Sequence, residues 1–198
     1  MPRPCSAERA GAASTAMEHP AETLRNGHVE LRRWRASDLE PLRRATEESL
    51  DHLMPWMPWA AVQERQRTAA YLERSEREWD LGEVYGYAIV TEGTVVGSCG
   101  LMRRVGPGGL DIGYWLHPAW TGRGLATLAV AALVRQGFAL PGIDRLEIVH
   151  DEANLASAAI PRRLGFTEVA RHQVPGGPAA PGEVGVDVIW HLHKPTTT

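Results

Sequence analysis

Hydrophobic and polar positions change period several times along this 198-residue chain, and each change marks an element. From Leu110 to His117 the two kinds alternate. Ile112, Tyr114 and Leu116 fall on one side, and Asp111, Gly113, Trp115 and His117 on the other, which is the period of a strand with two different faces. Pro118 ends that strand, having no N–H to give a ladder. After Gly124 the period becomes helical: Leu125, Leu128, Ala129, Ala132 and Leu133 form one stripe, and Pro141-Gly142 stops the helix soon after Phe138. Further strands are expected at residues 28–35, 84–91, 94–103, 143–150, 166–174 and 184–193, with Glu92-Gly93 as a hairpin turn.

Three other helices follow from cap signals and spacing. Ser37-Asp38-Leu39-Glu40 is a capping-box pattern opening a helix to about residue 50. Val62, Ala69, Leu72 and Trp79 make a stripe over residues 62–79. Asn154 caps a third helix that closes at Gly165, a residue suited to the left-handed position after a helix end. Pro161 inside it removes the N–H that would bond the Ser157 carbonyl. Residues 54–59 hold two prolines and cannot be regular helix. The strand–helix–strand unit at residues 110–150 requires a right-handed crossover, hence two parallel strands in an otherwise antiparallel sheet. The expected class is therefore α/β with a mixed sheet, of the α+β kind.

Composition narrows the field. The net charge of -3 gives no basic field for nucleic acid, and the arginines are interspersed with acids, as in residues 73–78. No apolar run approaches the length of a membrane span. Cys5 and Cys99 make no disulfide framework, and Cys99 falls in an apolar strand as a buried thiol. Residues 1–22 carry almost no large apolar side chain and lack the apolar centre of a signal peptide. They read as a disordered leader, residues 23–195 as one domain, and the protein as cytoplasmic. Nothing in the pattern separates a monomer from a homodimer.

The chemistry concentrates at the turn between strand and helix. A helix opened by Gly122-Arg123-Gly124 presents unpaired N–H groups with no side chain over the glycines, and Arg123 adds a charged donor; such a turn attracts phosphate. A P-loop would need Lys-Ser/Thr where Leu125-Ala126 stand. A dinucleotide fold would need an acid ending the next strand, whereas Asp144 begins it.

The motifs resemble those of the GNAT N-acetyltransferases, and within them the branch of ribosomal-protein N-terminal acetyltransferases. They are Asp111-Ile112-Gly113-Tyr114-Trp115-Leu116-His117-Pro118, Gly122-Arg123-Gly124-Leu125-Ala126-Thr127, Asn154-Leu155-Ala156-Ser157 and Arg163-Leu164-Gly165-Phe166. Val29-Glu30-Leu31-Arg32-Arg33-Trp34 and the run from Leu53 through Trp56 to Trp59 match as well. Thr121 departs from the Gln or Arg usual at the head of the phosphate turn. The resemblance implies a GNAT fold with two splayed parallel central strands and helices on both faces, and transfer of an acetyl group from acetyl-CoA to a primary amine. It implies acetyl-CoA contacts from Trp115, Leu116, His117, Thr121, Gly122, Arg123, Gly124, Leu125, Ala126, Thr127, Asn154 and Ser157, with the backbone N–H of Trp115, Leu116 or His117 as donor to the thioester oxygen.

A carboxylate must take the amine's proton, and Asp111 and Glu147 are the two candidates. Ser157 is the implied proton donor to the departing thiolate. Trp56 and Trp59 lie on the loop that the family places over the acceptor, one expected in the pocket and the other in the core. His150, at a strand end, reads as a surface histidine. His191 and His193 share a strand face, but no third ligand is in sight, so no metal is expected. A non-catalytic acyl-CoA-binding module and an acyltransferase for a longer acyl-CoA are the other functions these motifs allow.

Overall fold

The computed structural model describes residues 19–61 and 65–195. Eight strands form one sheet: β1 (Thr23–Asn26), β2 (Val29–Arg33), β3 (Val84–Thr91), β4 (Thr94–Met102), β5 (Gly109–Leu116), β6 (Arg145–Asp151), β7 (Thr167–Gln173) and β8 (Val186–His193). The spatial order is β1-β2-β3-β4-β5-β6-β8-β7, and β5–β6 is the parallel pair. The helices are α1 (Leu39–Glu47), α2 (Leu50–Leu53), α3 (Arg65–Asp80), α4 (Leu125–Ala139) and α5 (Leu155–Arg163). The mixed sheet and its single parallel pair are as expected; a second crossover, through α5, carries the chain from β6 to the edge strand β7, and β8 returns between them. Cys5 and Val62 lie outside the described residues.

Strand alternation sorts the side chains into two layers. On one face Leu31, Cys99, Leu101, Leu110, Ile112, Leu116, Leu146 and Ile148 meet Leu125, Ala129 and Leu133 of α4 and Ile160 of α5. α4 is apolar over most of its circumference because it is buried over most of it. On the opposite face Trp34 and Ala88 pack with Leu42 of α1 and Leu72 of α3. Trp34 is fully buried and donates to Ser98 Oγ at 3.2 Å, which satisfies its ring N–H. Burial raises the Cys99 thiol far above its ordinary value, so it is an unreactive core residue.

Two findings here depart from expectation. The chain segment before β2 is a hairpin strand, β1, turned at Gly27 with φ +59° and tied to α4 by Asn26 Nδ2 donating to Leu128 O at 2.9 Å. Of the expected leader, residues 1–18 lie outside the described residues; of the rest, Pro20 is buried, the Ala21 carbonyl accepts from Tyr87 Oη, and Glu22 pairs with Arg33 and Arg35. His150 is buried, not on the surface. Its Nε2 accepts from Trp190 Nε1 at 2.9 Å, which leaves Nδ1 to donate to the Asp151 carbonyl at 2.8 Å and so assigns the neutral tautomer.

Asp151 anchors the loop that leads into β8. Its carboxylate accepts from the N–H groups of Ala153, Val184, Gly185 and Val186. Burial alone would push this carboxyl up, but those four donors together hold it below the usual carboxylate range. A depressed carboxyl contributes stability above its unfolded value, and that stability is lost as pH falls through the folded value. Asp151→Asn should therefore cost about 2 kcal/mol at neutral pH, with the difference from wild type shrinking below about pH 4; urea unfolding at pH 7 and in acid checks both.

Candidate active site

β5 and β6 begin as neighbours and then part. They are in register at Gly109 with Arg145, Leu110 with Leu146 and Asp111 with Glu147, and beyond that rung β5 runs to Leu116 and β6 to Asp151 without pairing each other. The direction of the freed main chain follows from alternation. Gly108 O faces β6, accepting from Arg145 N at 3.1 Å, so Ile112, Tyr114 and Leu116 turn their main-chain groups into the gap. His117 N–H points the other way and donates to Val96 O at 2.8 Å. This narrows the three alternatives at residues 115–117. The N–H of His117 is spent on β4, Trp115 faces β4 by the same parity, and Leu116 alone of the three aims its N–H at the gap.

The gap opens toward the glycine turn. A short 3-10 turn at Pro118–Trp120 carries the chain round, and Gly122 (φ +73°) and Gly124 (φ +77°) hold left-handed conformations that side-chain-bearing residues avoid. Gly124 is the N-cap of α4, so the N–H groups of Leu125, Ala126 and Thr127 lack partners within the helix and face outward with its positive end. A Cβ at either glycine would meet nothing within 4 Å. Their bareness therefore serves the outside of the molecule, not its packing. Arg123 is exposed and lies over the Trp120 ring at 4.7 Å, a position from which its guanidinium reaches solvent and anions. Thr121 closes the turn, its hydroxyl donating to Pro118 O at 2.8 Å.

α5 lines the other lip. Asn154 caps it, Oδ1 accepting from Ser157 N at 3.0 Å, which engages the amide oxygen and leaves the NH2 for a ligand. The orphan carbonyl created by Pro161 has a partner: Tyr114 Oη donates to Ser157 O at 3.2 Å and lies 3.0 Å from Ser157 Oγ. Burial pushes the Tyr114 hydroxyl up to about 12, with the Ser157 contact opposing, so the phenol keeps its proton at neutral pH. The helix ends as expected, with Gly165 at φ +78° and Phe166 N bonded to Pro161 O.

On the opposite face of β5 the two carboxylates stand side by side at the last rung. Asp111 is buried and ion-paired with Arg104. Burial raises its carboxyl above the usual range; Arg104 counters this, and Glu147 adds to it. Glu147 is bonded to His191 Nε2 at 2.8 Å, its register partner on β8. Among the described residues no group of three or more metal-ligating side chains is gathered.

The same face holds a cavity of about 540 Å³. Met57, Trp59, Tyr71, Met102 and Trp115 supply its apolar walls. Trp59 is 42% exposed and sits 6.2 Å from Trp115, ring to ring. Of the two loop tryptophans, Trp59 lines the cavity, whereas Trp56 is half-buried and does not. Sequence reasoning missed Tyr114 as the partner of Ser157, Arg104 as that of Asp111, and His191 as that of Glu147. Only the last pair follows from strand register, which needs the sheet order.

Residues 28–167 match the family model described as the acetyltransferase (GNAT) domain. The chain belongs to the GNAT acetyltransferases. A relative in Bacillus subtilis (strain 168), YdaF, whose name assigns it provisionally to the ribosomal N-acetyltransferases, is 26% identical over 150 residues, covering 72% of this chain and 80% of its own. Two solved structures share the fold of this GNAT enzyme. The microcin C7 self-immunity acetyltransferase MccE, in complex with acetyl-CoA and AMP, superposes with a TM-score of 0.78 at 20% identity over 85% of this chain and 94% of its own. RimL, a ribosomal L7/L12 alpha-N-protein acetyltransferase in complex with coenzyme A, gives 0.79 at 20% identity over 87% and 98%.

Proposed function

We propose that this GNAT enzyme acetylates a primary amine with acetyl-CoA as donor, by direct attack on the thioester. One observation carries the reading: the sheet opens between β5 and β6 with a carboxylate pair on one face of β5 and the Tyr114–Ser157 pair on the other. A thioester held in that gap has a proton acceptor on one side and a proton donor on the other. Acetyl-CoA bound in MccE supports the donor. The glycine turn and first turn of α4 are the cradle for its pyrophosphate, and the freed groups of Ile112, Tyr114 and Leu116 pair with its amide-bearing arm like an added strand.

In the reaction, Asp111 takes a proton from the bound ammonium, through a water because its short, buried side chain stops at the sheet. The freed nitrogen lone pair attacks the carbonyl carbon. Leu116 N–H faces the oxygen as charge builds on it. The C–S bond breaks, the thiolate takes a proton from Ser157 Oγ, and Ser157 regains one from the nitrogen made cationic by the attack, so the amine's second proton leaves with the thiol; Tyr114 keeps its own proton and holds the serine in place. Glu147, held by His191, adds negative charge beside Asp111 that sustains its basicity. MccE and RimL carry this scaffold at nearly equal TM-scores under names that point to different biology, so the acceptor is chosen by the pocket. An α-amine of a peptide and a small-molecule amine both fit the chemistry. A donor of this kind goes with a cytoplasmic protein, and no described helix is long and apolar enough to cross a membrane.

The test is thiol release from acetyl-CoA over a panel of small amines and short peptides with free N-termini. Turnover with at least one amine, lowered about 10–1000-fold by Ser157→Ala, is expected. Acetyl-CoA binding without thiol release on any amine would replace the enzyme by a binding module.

A further inference from the structure

Three glycines stand in one row across the sheet on the cavity side. Gly86 on β3 is in register with Gly100 on β4, and Gly100 with Gly113 on β5. All three line the cavity floor. Glycine is a poor strand residue, so each position needs a reason.

For two of them the protein itself supplies it. A Cβ at Gly100 would sit 2.9 Å from the Tyr85 carbonyl oxygen, a main-chain atom that cannot step aside. One at Gly86 would sit 3.0 Å from Ser75 Oγ and 3.4 Å from the Trp34 ring. Gly113 is different. Its added Cβ would meet one atom, the terminal methyl of Met102 at 3.0 Å, which is the far end of a flexible side chain. Its backbone is ordinary strand, since it is absent from the residues with positive φ. The fold has no need of glycine there; the cavity does.

Gly113 lies between Asp111 and Trp115 on the same face of β5, so whatever occupies the floor at this point lies next to the carboxylates. Around it stand Trp59, Trp115, Met57, Tyr71 and Met102, flat or flexible apolar surfaces suited to a ring. We infer that the acceptor is a primary amine borne on a bulky aromatic or apolar group, laid flat on the glycine floor between Trp59 and Trp115, and that Gly113 sets its allowed thickness. This rests on the reaction proposed above and names the acceptor class for the same site. A slim alkyl amine would leave the 540 Å³ cavity underfilled and its aromatic walls wet.

The experiment compares tryptophanamide and phenylalaninamide with glycinamide, by thiol release and by calorimetric titration in the presence of coenzyme A, in wild type, Gly113→Ala and Gly113→Val. In wild type, kcat/KM for the ring-bearing amides should exceed that for glycinamide at least tenfold. Each variant should lower that ratio, valine more than alanine and by at least tenfold, mainly through KM. Thermal midpoints at or above wild type, and unchanged acetyl-CoA affinity, would show that the effect lies in the pocket. Equal kcat/KM for large and small amides in wild type overturns the inference while leaving the acetyl transfer standing, and so does a ratio that ignores valine at this position. If no amide is turned over, ring-selective binding that Gly113→Val abolishes upholds the pocket assignment and removes the reaction; absence of such binding removes both.

Discussion

Changing Gly122 and Gly124 together to valine is expected to weaken acetyl-CoA binding at least about a hundredfold, or roughly 3 kcal/mol, with the fold retained. Both residues hold φ near +75°, where a β-branched residue is strained by about 1–2 kcal/mol. The chain can then respond in two ways. It keeps the turn and covers the outward N–H groups with isopropyl side chains, or it relaxes and turns those groups away. Either response removes oriented donors from a pyrophosphate. Apart from the adjoining residues of the chain, no atom lies within 4 Å of the new Cβ positions, so the core is untouched. Calorimetry with acetyl-CoA, alongside a thermal melt, reads both parts of the expectation. Undiminished affinity in a folded double variant would remove the phosphate cradle from the interpretation.

The second large effect is at Asp111. Asp111→Asn should lower kcat about 100- to 1000-fold while leaving thermal stability equal or higher. The two signs differ for one reason. Burial raises the folded-state carboxyl of Asp111 above its unfolded value, against the pull of Arg104. A group shifted that way contributes its stability below the unfolded value and loses it as pH rises through the folded one. At neutral pH the ionised side chain is thus a burden on folding that the reaction needs. The amide removes the burden and the base together. Arg104, its ion-pair partner, is 65% exposed and remains solvated when the charge goes. The acid limb of the wild-type rate profile should lie above the ordinary carboxylate range and vanish in the variant. A larger loss in Glu147→Gln, with Asp111→Asn near wild type, would transfer the role of base to Glu147.

Most of the architecture was legible from periodicity. β3, β4, β5 and α4 fall within about two residues of where alternation and helical stripes put them, because each has a long run with one buried face. β1 was not legible: Thr23–Asn26 carries one large apolar residue, Leu24, too few to show a period. α2 is a single turn below the reach of any stripe. Of the candidate site, the glycine turn and Asn154 were visible because they work through local backbone geometry. The Asp111–Glu147 rung, the Tyr114–Ser157 contact and the Gly86–Gly100–Gly113 row join residues that are far apart in the chain. The rung and the glycine row follow from register and the Tyr114–Ser157 contact from how α5 packs on the sheet, and one sequence encodes neither locally. His150 was misread for a related reason: its burial comes from Trp190, a strand that arrives later.

The three rungs between β5 and β6 have a mechanical meaning. They are the hydrogen-bonded seam between a five-stranded half of the sheet and a three-stranded half. A ligand threaded into the slit above them stitches the halves together along their full length. Occupancy should thus stiffen the molecule far from the chemistry, slowing amide exchange at Ile112, Tyr114 and Leu116 and at the facing edge of β6. The enzyme would then be least rigid when empty, and a spent carrier could leave only by reopening the seam its arrival had closed.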